Sequence, residues 1–171
     1  VLENWKQIYY AYPESREGLY LRLAGACALR PPGTGNVGAG MAKEQSTPLA
    51  RFGHYLKAHK NKELVPSFNT LTAWEMTHVV SSGASDKDLA WGRECLNTWN
   101  PGYLKDENAV GLASQMKYQG SQIPYYTMSC LLAGGGKCGP RSSFGVFICQ
   151  AFGIPAVGVA QPAHAAVAFR D

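Results

Sequence analysis

The sequence has no CxxC pair, no internal repeat, no low-complexity tract and no apolar run near the roughly 20 residues that span a bilayer. A membrane-spanning helix is therefore not expected. Charge is sparse too: Asp, Glu, Lys and Arg make up 16% of the residues, with a net charge of +4. The basic residues are scattered apart from one short stretch, Lys57 to Lys62 (KAHKNK). A nucleic-acid reader carries a denser basic stripe, so no nucleic-acid partner is expected. No secretory leader is visible, but the chain opens on Val1, so that absence leaves the compartment unassigned. The histidines (His54, His59, His78, His164) are dispersed. The nearest pair, His54 and His59, would stand about 140° apart around a helix, a poor match to zinc-ligand spacing. Neither a metal nor a cofactor is expected. Five cysteines are an odd number, so at least one thiol lies outside any internal disulfide.

What the sequence does contain is apolar material, 46% of 171 residues, enough for one substantial core. The first 132 residues read as mostly helical. Apolar spacing predicts helices over 3–11, 14–29, 47–59, 71–81 and 87–99. In the second, Leu19, Leu21, Leu23, Ala26 and Cys27 form the expected buried face. Ser85 three residues before Asp88 makes a capping-box variant for the fifth, which Asn100, Pro101 and Gly102 end. Pro31 to Gly40 (PPGTGNVGAG) reads as a surface loop; it has neither the Gly-Lys-Ser/Thr ending nor the preceding strand of a phosphate-binding loop. Trp74, Trp91 and Trp99 fall on predicted helices, where core positions are favoured over a sugar- or aromatic-binding surface.

From Ala133 onward the character changes. A Gly-rich loop leads into a helix from Cys138 or Gly139 to Phe152, with Pro140 in its first turn. Phe144, Phe147, Ile148, Ala151 and Phe152 supply a buried face, and Gly153 followed by Ile154-Pro155 ends the helix. Val157 and Val159 suggest a strand, Gln161-Pro162 a turn, and His164 to Phe169 a second strand. A cysteine acts as a nucleophile only as thiolate, and a helix N-terminus favours that anion. Cys138 holds such a position, with Lys137 beside it and three glycines before it that allow close approach of a substrate carbonyl. His164, 26 residues on, begins a strand that could return past the helix start and serve as base. Cys130 and Cys149 read as ordinary buried thiols.

The phrase G-G-x-C-G at a helix start, then F-G-I-P-A, then a strand and His-Ala resembles the transglutaminase-like superfamily. Here the matching residues are Gly135, Gly136, Cys138, Gly139, Phe152, Gly153, Ile154, Pro155, Ala156, His164 and Ala165. The resemblance covers about residues 133–171. It implies an α+β fold: a helix-rich N-terminal part, 1–132, on a papain-like core whose central helix starts at the cysteine and packs on a short antiparallel sheet. It also implies that Cys138 is the nucleophile and His164 the base of acyl transfer from a peptide or other amide, through a thioester, to water or an amine. The sequence departs from the family at Val157, often Arg, and at Ala166, often aromatic. The family's third residue, an acid on the strand after the histidine, has no evident counterpart. Asp171 is seven residues from His164 and would point to the opposite face of a regular strand. Either the domain is truncated at its C-terminal end or a partner chain completes it. Trp99, Tyr118 and Gln122 are unranked candidates for stabilising an oxyanion. The alternative reading is a catalytically silent domain of this type, serving as a binding or assembly subunit.

Overall fold

The computed structural model describes residues 1–32, 46–99 (backbone only at 96–99), 116–120 and 127–170. Among these, α1 spans Leu2–Ala11, α2 Gly18–Leu29, α3 Pro48–Lys60, α4 Ala73–Val80, α5 Asp86–Trp99, α6 Met128–Gly134 and α7 Cys138–Ala151. Two 3-10 turns, Pro13–Arg16 and Pro66–Thr70, connect helices. A hairpin of β1, Ala156–Gln161, and β2, His164–Phe169, follows α7. The protein is α+β. Most of the loop expected at Pro31 to Gly40 lies outside the described residues.

Helix starts follow local chemistry. Thr47 caps α3 by accepting from the Ala50 N–H at 3.1 Å, with Pro48 as the first helical residue. At α4, Thr72 and Glu75 form a full capping box: the Glu75 N–H donates to Thr72 Oγ1, and the Thr72 N–H to Glu75 Oε2. At α5 the Asp88 N–H donates to Ser85 Oγ at 3.0 Å, while the Asp88 carboxylate takes the Ser85 hydroxyl rather than a backbone N–H. The shorter acid does not reach back to the backbone.

Three expectations need correction. The helix predicted over 14–29 is split: Pro13–Arg16 forms a 3-10 turn, Glu17 is extended, and α2 restarts at Gly18 with φ +57. Leu21 in α2 is 40% exposed, because the helix turns Leu23, Ala24, Ala26, Cys27 and Ala28 inward and Leu21 away from them. Trp74 is 69% exposed, since α4 buries Met76, Val79 and Val80 and Trp74 stands on the far side from Met76. Trp91 does pack on the core.

One apolar core runs from Ile8 of α1 to Ala156 of β1, so the helical part and α7 share it. Phe144, Phe147, Ile148, Ala151 and Phe152 of α7 are all buried, as the sequence pattern predicts. The C-terminal carbonyls of α7, which a helix leaves unpaired, are taken by the body: Arg93 donates to Ala151 O at 2.8 Å, Tyr55 to Gln150 O at 2.8 Å and the Val65 N–H to Phe152 O at 3.0 Å. Gly153, at φ +82, then closes the helix, with its N–H on Gln150 O and that of Ile154 on Cys149 O. A Cβ at Gly153 would come within 2.7 Å of the Phe68 ring, so glycine is required for both conformation and space. Among the described residues no helix is long and apolar enough to cross a membrane.

Candidate functional site

The loop ahead of α7 is shaped by its neighbour, residues 116–120. The Gly136 N–H donates to Lys117 O at 2.9 Å, and Gln119 Nε2 to Gly134 O at 3.3 Å. Gly135 has φ +72, and a Cβ there would lie 2.6 Å from Lys117 O. The glycines therefore serve a close backbone approach that leads the chain into Cys138.

Cys138 is the first residue of α7 and half-buried. With Lys137 as the cap residue and no side-chain cap, the Cys138 and Gly139 N–H groups are free of intrahelical partners, as at any helix start. Pro140 has no N–H to offer. The 14-residue helix adds a partial positive charge at this end. Arg141 lies over the Tyr118 ring at 5.9 Å, so Tyr118, named as an oxyanion candidate, stands on this rim and is exposed. Trp99, by its side chain, and Gln122 lie outside the described residues, as does Asp171.

The direction of β2 follows from two bonds. The Arg170 N–H donates to Pro155 O at 3.0 Å, which ties the end of β2 to the exit of α7. Ser142 Oγ donates to Ala166 O at 2.5 Å, which ties the second turn of α7 to the early part of β2. Strand β2 thus runs parallel to α7, and His164 lies towards the Cys138 end. From the Ser142–Ala166 bond, four helical residues back cover about 6 Å and two strand residues back about 6.6 Å. Cys138 and His164 extend from that bond in the same direction by similar lengths.

The side chains themselves are not joined. No hydrogen bond links Cys138 to His164 among the described residues, and His164 is exposed. Register explains this. Val157 pairs with Ala168, Val159 with Ala166 and Gln161 with His164, so these share one face of the hairpin. Val167, on the other face, packs against the core. His164 therefore belongs to the outward face, at the turn end of the hairpin. That end is a two-residue loop, Pro162 and Ala163, with Ala163 at φ +58. Neither α7, β1 nor β2 contains an acidic residue that could orient the imidazole.

Two of the other thiols are set apart by full burial. Cys27 and Cys149 are fully buried, which pushes each thiol up to about 12; burial raises Cys95 as well. Cys149 meets its expectation as a buried thiol, whereas Cys130 is only half-buried. The described cysteines form no disulfide. His54 and His59 have separate partners, Arg93 for the first and Tyr20 and Asn69 for the second. At the far end of the hairpin, Pro155, Val157, Phe169, Arg170 and His78 line an open, mainly apolar cavity of about 230 Å³. Burial and the charge of Arg30 lower the His78 pKa, and its Nδ1 has no hydrogen-bond partner. Ser142, the strut between α7 and β2, carried no sequence signal, because its partner is a backbone carbonyl 24 residues away.

The chain matches no family model, no curated protein and no solved structure.

Proposed function

We propose that the protein is a thiol-dependent amide hydrolase or transamidase of the transglutaminase-like type, built on a papain-like core. Cys138 adds to the carbonyl of a peptide or related amide. The C–N bond breaks, the thiol proton passes through His164 to the leaving amine, and water or another amine takes the acyl group from the thioester. The observation that supports this most is the parallel run of α7 and β2, tied by Ser142 to Ala166 O, which sends Cys138 and His164 to one end. The free N–H groups of the helix start would receive the developing oxyanion.

A second reading has its own support. His164 is exposed on the outward face, and no acid of the hairpin or α7 orients it. That favours a catalytically silent domain of the same type, acting as a binding or assembly subunit. The two readings part on acylation. Mixed with p-nitrophenyl acetate, an enzyme releases p-nitrophenol in a burst, with an acetyl group located on Cys138 by mass spectrometry. Cys138→Ala removes the share of that burst that matches the Cys138 acetyl. A wild-type chain with no acetyl on Cys138 is the silent domain.

A further inference from the structure

Away from Cys138, three side chains from three elements form a directed relay. Tyr20 stands on α2, His59 in the last turn of α3, and Asn69 in the 3-10 turn Pro66–Thr70. Tyr20 Oη lies 2.9 Å from His59 Nδ1, and His59 Nε2 lies 2.9 Å from Asn69 Oδ1. The direction of each bond can be worked out. Asn69 Nδ2 donates to Pro66 O at 3.1 Å, which turns Oδ1 towards the ring. An amide oxygen only accepts, so Nε2 carries the ring proton. In neutral imidazole Nδ1 is then a lone pair, and the Tyr20 hydroxyl must donate to it. Arg22 holds the same turn, through Nη2 on Asn69 O at 2.9 Å and Nε on Leu71 O at 2.8 Å.

A hydroxyl, a base that accepts its proton and a third group that orients the base are the parts of an activated nucleophile. We propose that Tyr20 is a base-assisted nucleophile that takes acyl groups from activated esters and amides, with His59 as base and Asn69 as the residue that positions it. Tyr20 and His59 are only half-buried, and their bond is part-buried rather than enclosed in the core. Local charge favours a neutral acyl group over a phosphoryl group. Lys60, the cation whose field reaches Tyr20, is held by Glu14 at 2.6 Å, and the Arg22 guanidinium is occupied by two carbonyls. Neither is left to neutralise a phosphoryl transition state. In the acyl step the Tyr20 Oη–C bond forms and the bond to the leaving group breaks. The phenolic proton moves to His59 Nδ1 and then to the departing group, which restores the neutral ring.

The test is acetylation of the full chain by N-acetylimidazole, with the rate at each tyrosine read by mass spectrometry. Tyr10, 76% exposed, is the internal standard. General-base assistance is commonly worth about 10²–10⁴-fold, so Tyr20 should react at least about 10-fold faster than Tyr10 near neutral pH. His59→Gln should bring Tyr20 down to the rate of Tyr10. Should His59→Gln fail to fold, Asn69→Ala at an exposed position decides: a fall in the Tyr20 rate supports the relay, and an unchanged rate overturns it. The proposal is also overturned if wild-type Tyr20 reacts no faster than Tyr10, or if folded His59→Gln keeps the advantage. In either case the two bonds only tie α2 and α3 to the turn.

Discussion

Two arginines show how differently the two ends of the protein are held. Arg51, fully buried in the helical body, donates to Val80 O, Ser82 O and Ala84 O and pairs with Asp86. Arg170, at the end of the hairpin, has a part-exposed ion pair with Glu75 at 3.3 Å. Arg93 repeats the first pattern, reaching Glu63, His54 and the end of α7. The hairpin repeats the second: from Val157 to His164 every residue is exposed. The body is locked through charges taken out of water, whereas the hairpin is tied to α7 by uncharged groups, the Ser142 hydroxyl on Ala166 O and the Gln150 amide on Ala156 O. Cys138 rises from the α7–loop junction, where glycine contacts define the backbone. His164 sits on the exposed hairpin, away from the buried charges of the body.

The largest effect should come from the body. Arg51→Ala leaves Asp86 and three buried carbonyls without their partner, and breaking a buried pair in this way costs about 3–5 kcal/mol. Urea unfolding should show that loss, while Arg170→Ala should change stability by less than about 1 kcal/mol, as surface pairs do. Equal losses would erase the contrast between the two ends.

Next in size is a pH effect confined to the body. Burial, and then the charge of Arg93, push His54 down to about 4 from 6.5; Arg51 acts in the same sense, and Asp86 and Glu63 oppose it. The folded state therefore favours neutral His54, which accepts a hydrogen bond from Arg93. Stability from this group is complete above pH 6.5, declines as the pH falls towards 4 and then levels off, because both states are protonated below that. The shift corresponds to a loss on the order of 3 kcal/mol. His54→Gln should flatten that part of the stability–pH curve, measured by urea midpoints across the range.

Two glycine-related changes probe the other end. Gly135→Ala places a Cβ against Lys117 O at a left-handed φ and should cost roughly 1–3 kcal/mol, read by thermal unfolding. Ala163→Gly relieves a non-glycine residue at φ +58 and should stabilise the hairpin by about 1 kcal/mol. A destabilised Ala163→Gly would show that the hairpin depends on that turn being stiff.

These contrasts also explain what could be read in the sequence. The start of α7 at Cys138, its end at Gly153 and both strands carry local signals: proline in the first turn, glycine at the left-handed position, and short strand segments around a turn. The capped starts of α3 and α5 were within one residue of expectation for the same reason. Arg51, Arg93 and the Tyr20–His59–Asn69 relay join residues about 10 to 60 positions apart, and no local pattern encodes which backbone carbonyl a long side chain will meet. Trp74 misled because its hydrophobicity, not its place opposite Met76, was the visible cue. The candidate site was legible as two addresses on the chain. The outward face of His164 was not, since it depends on which side of the hairpin α7 packs.

The central claim is that Cys138 and His164 act as a pair, and alkylation by iodoacetamide across pH tests it most directly. Label is located by mass on each of the five thiols, in the wild type and in His164→Gln. Cys138 should be alkylated well ahead of the half-buried Cys130 below pH 7, with that lead lost in His164→Gln. Slow labelling of Cys138 at the pace of the other thiols, unchanged by His164→Gln, would contradict it.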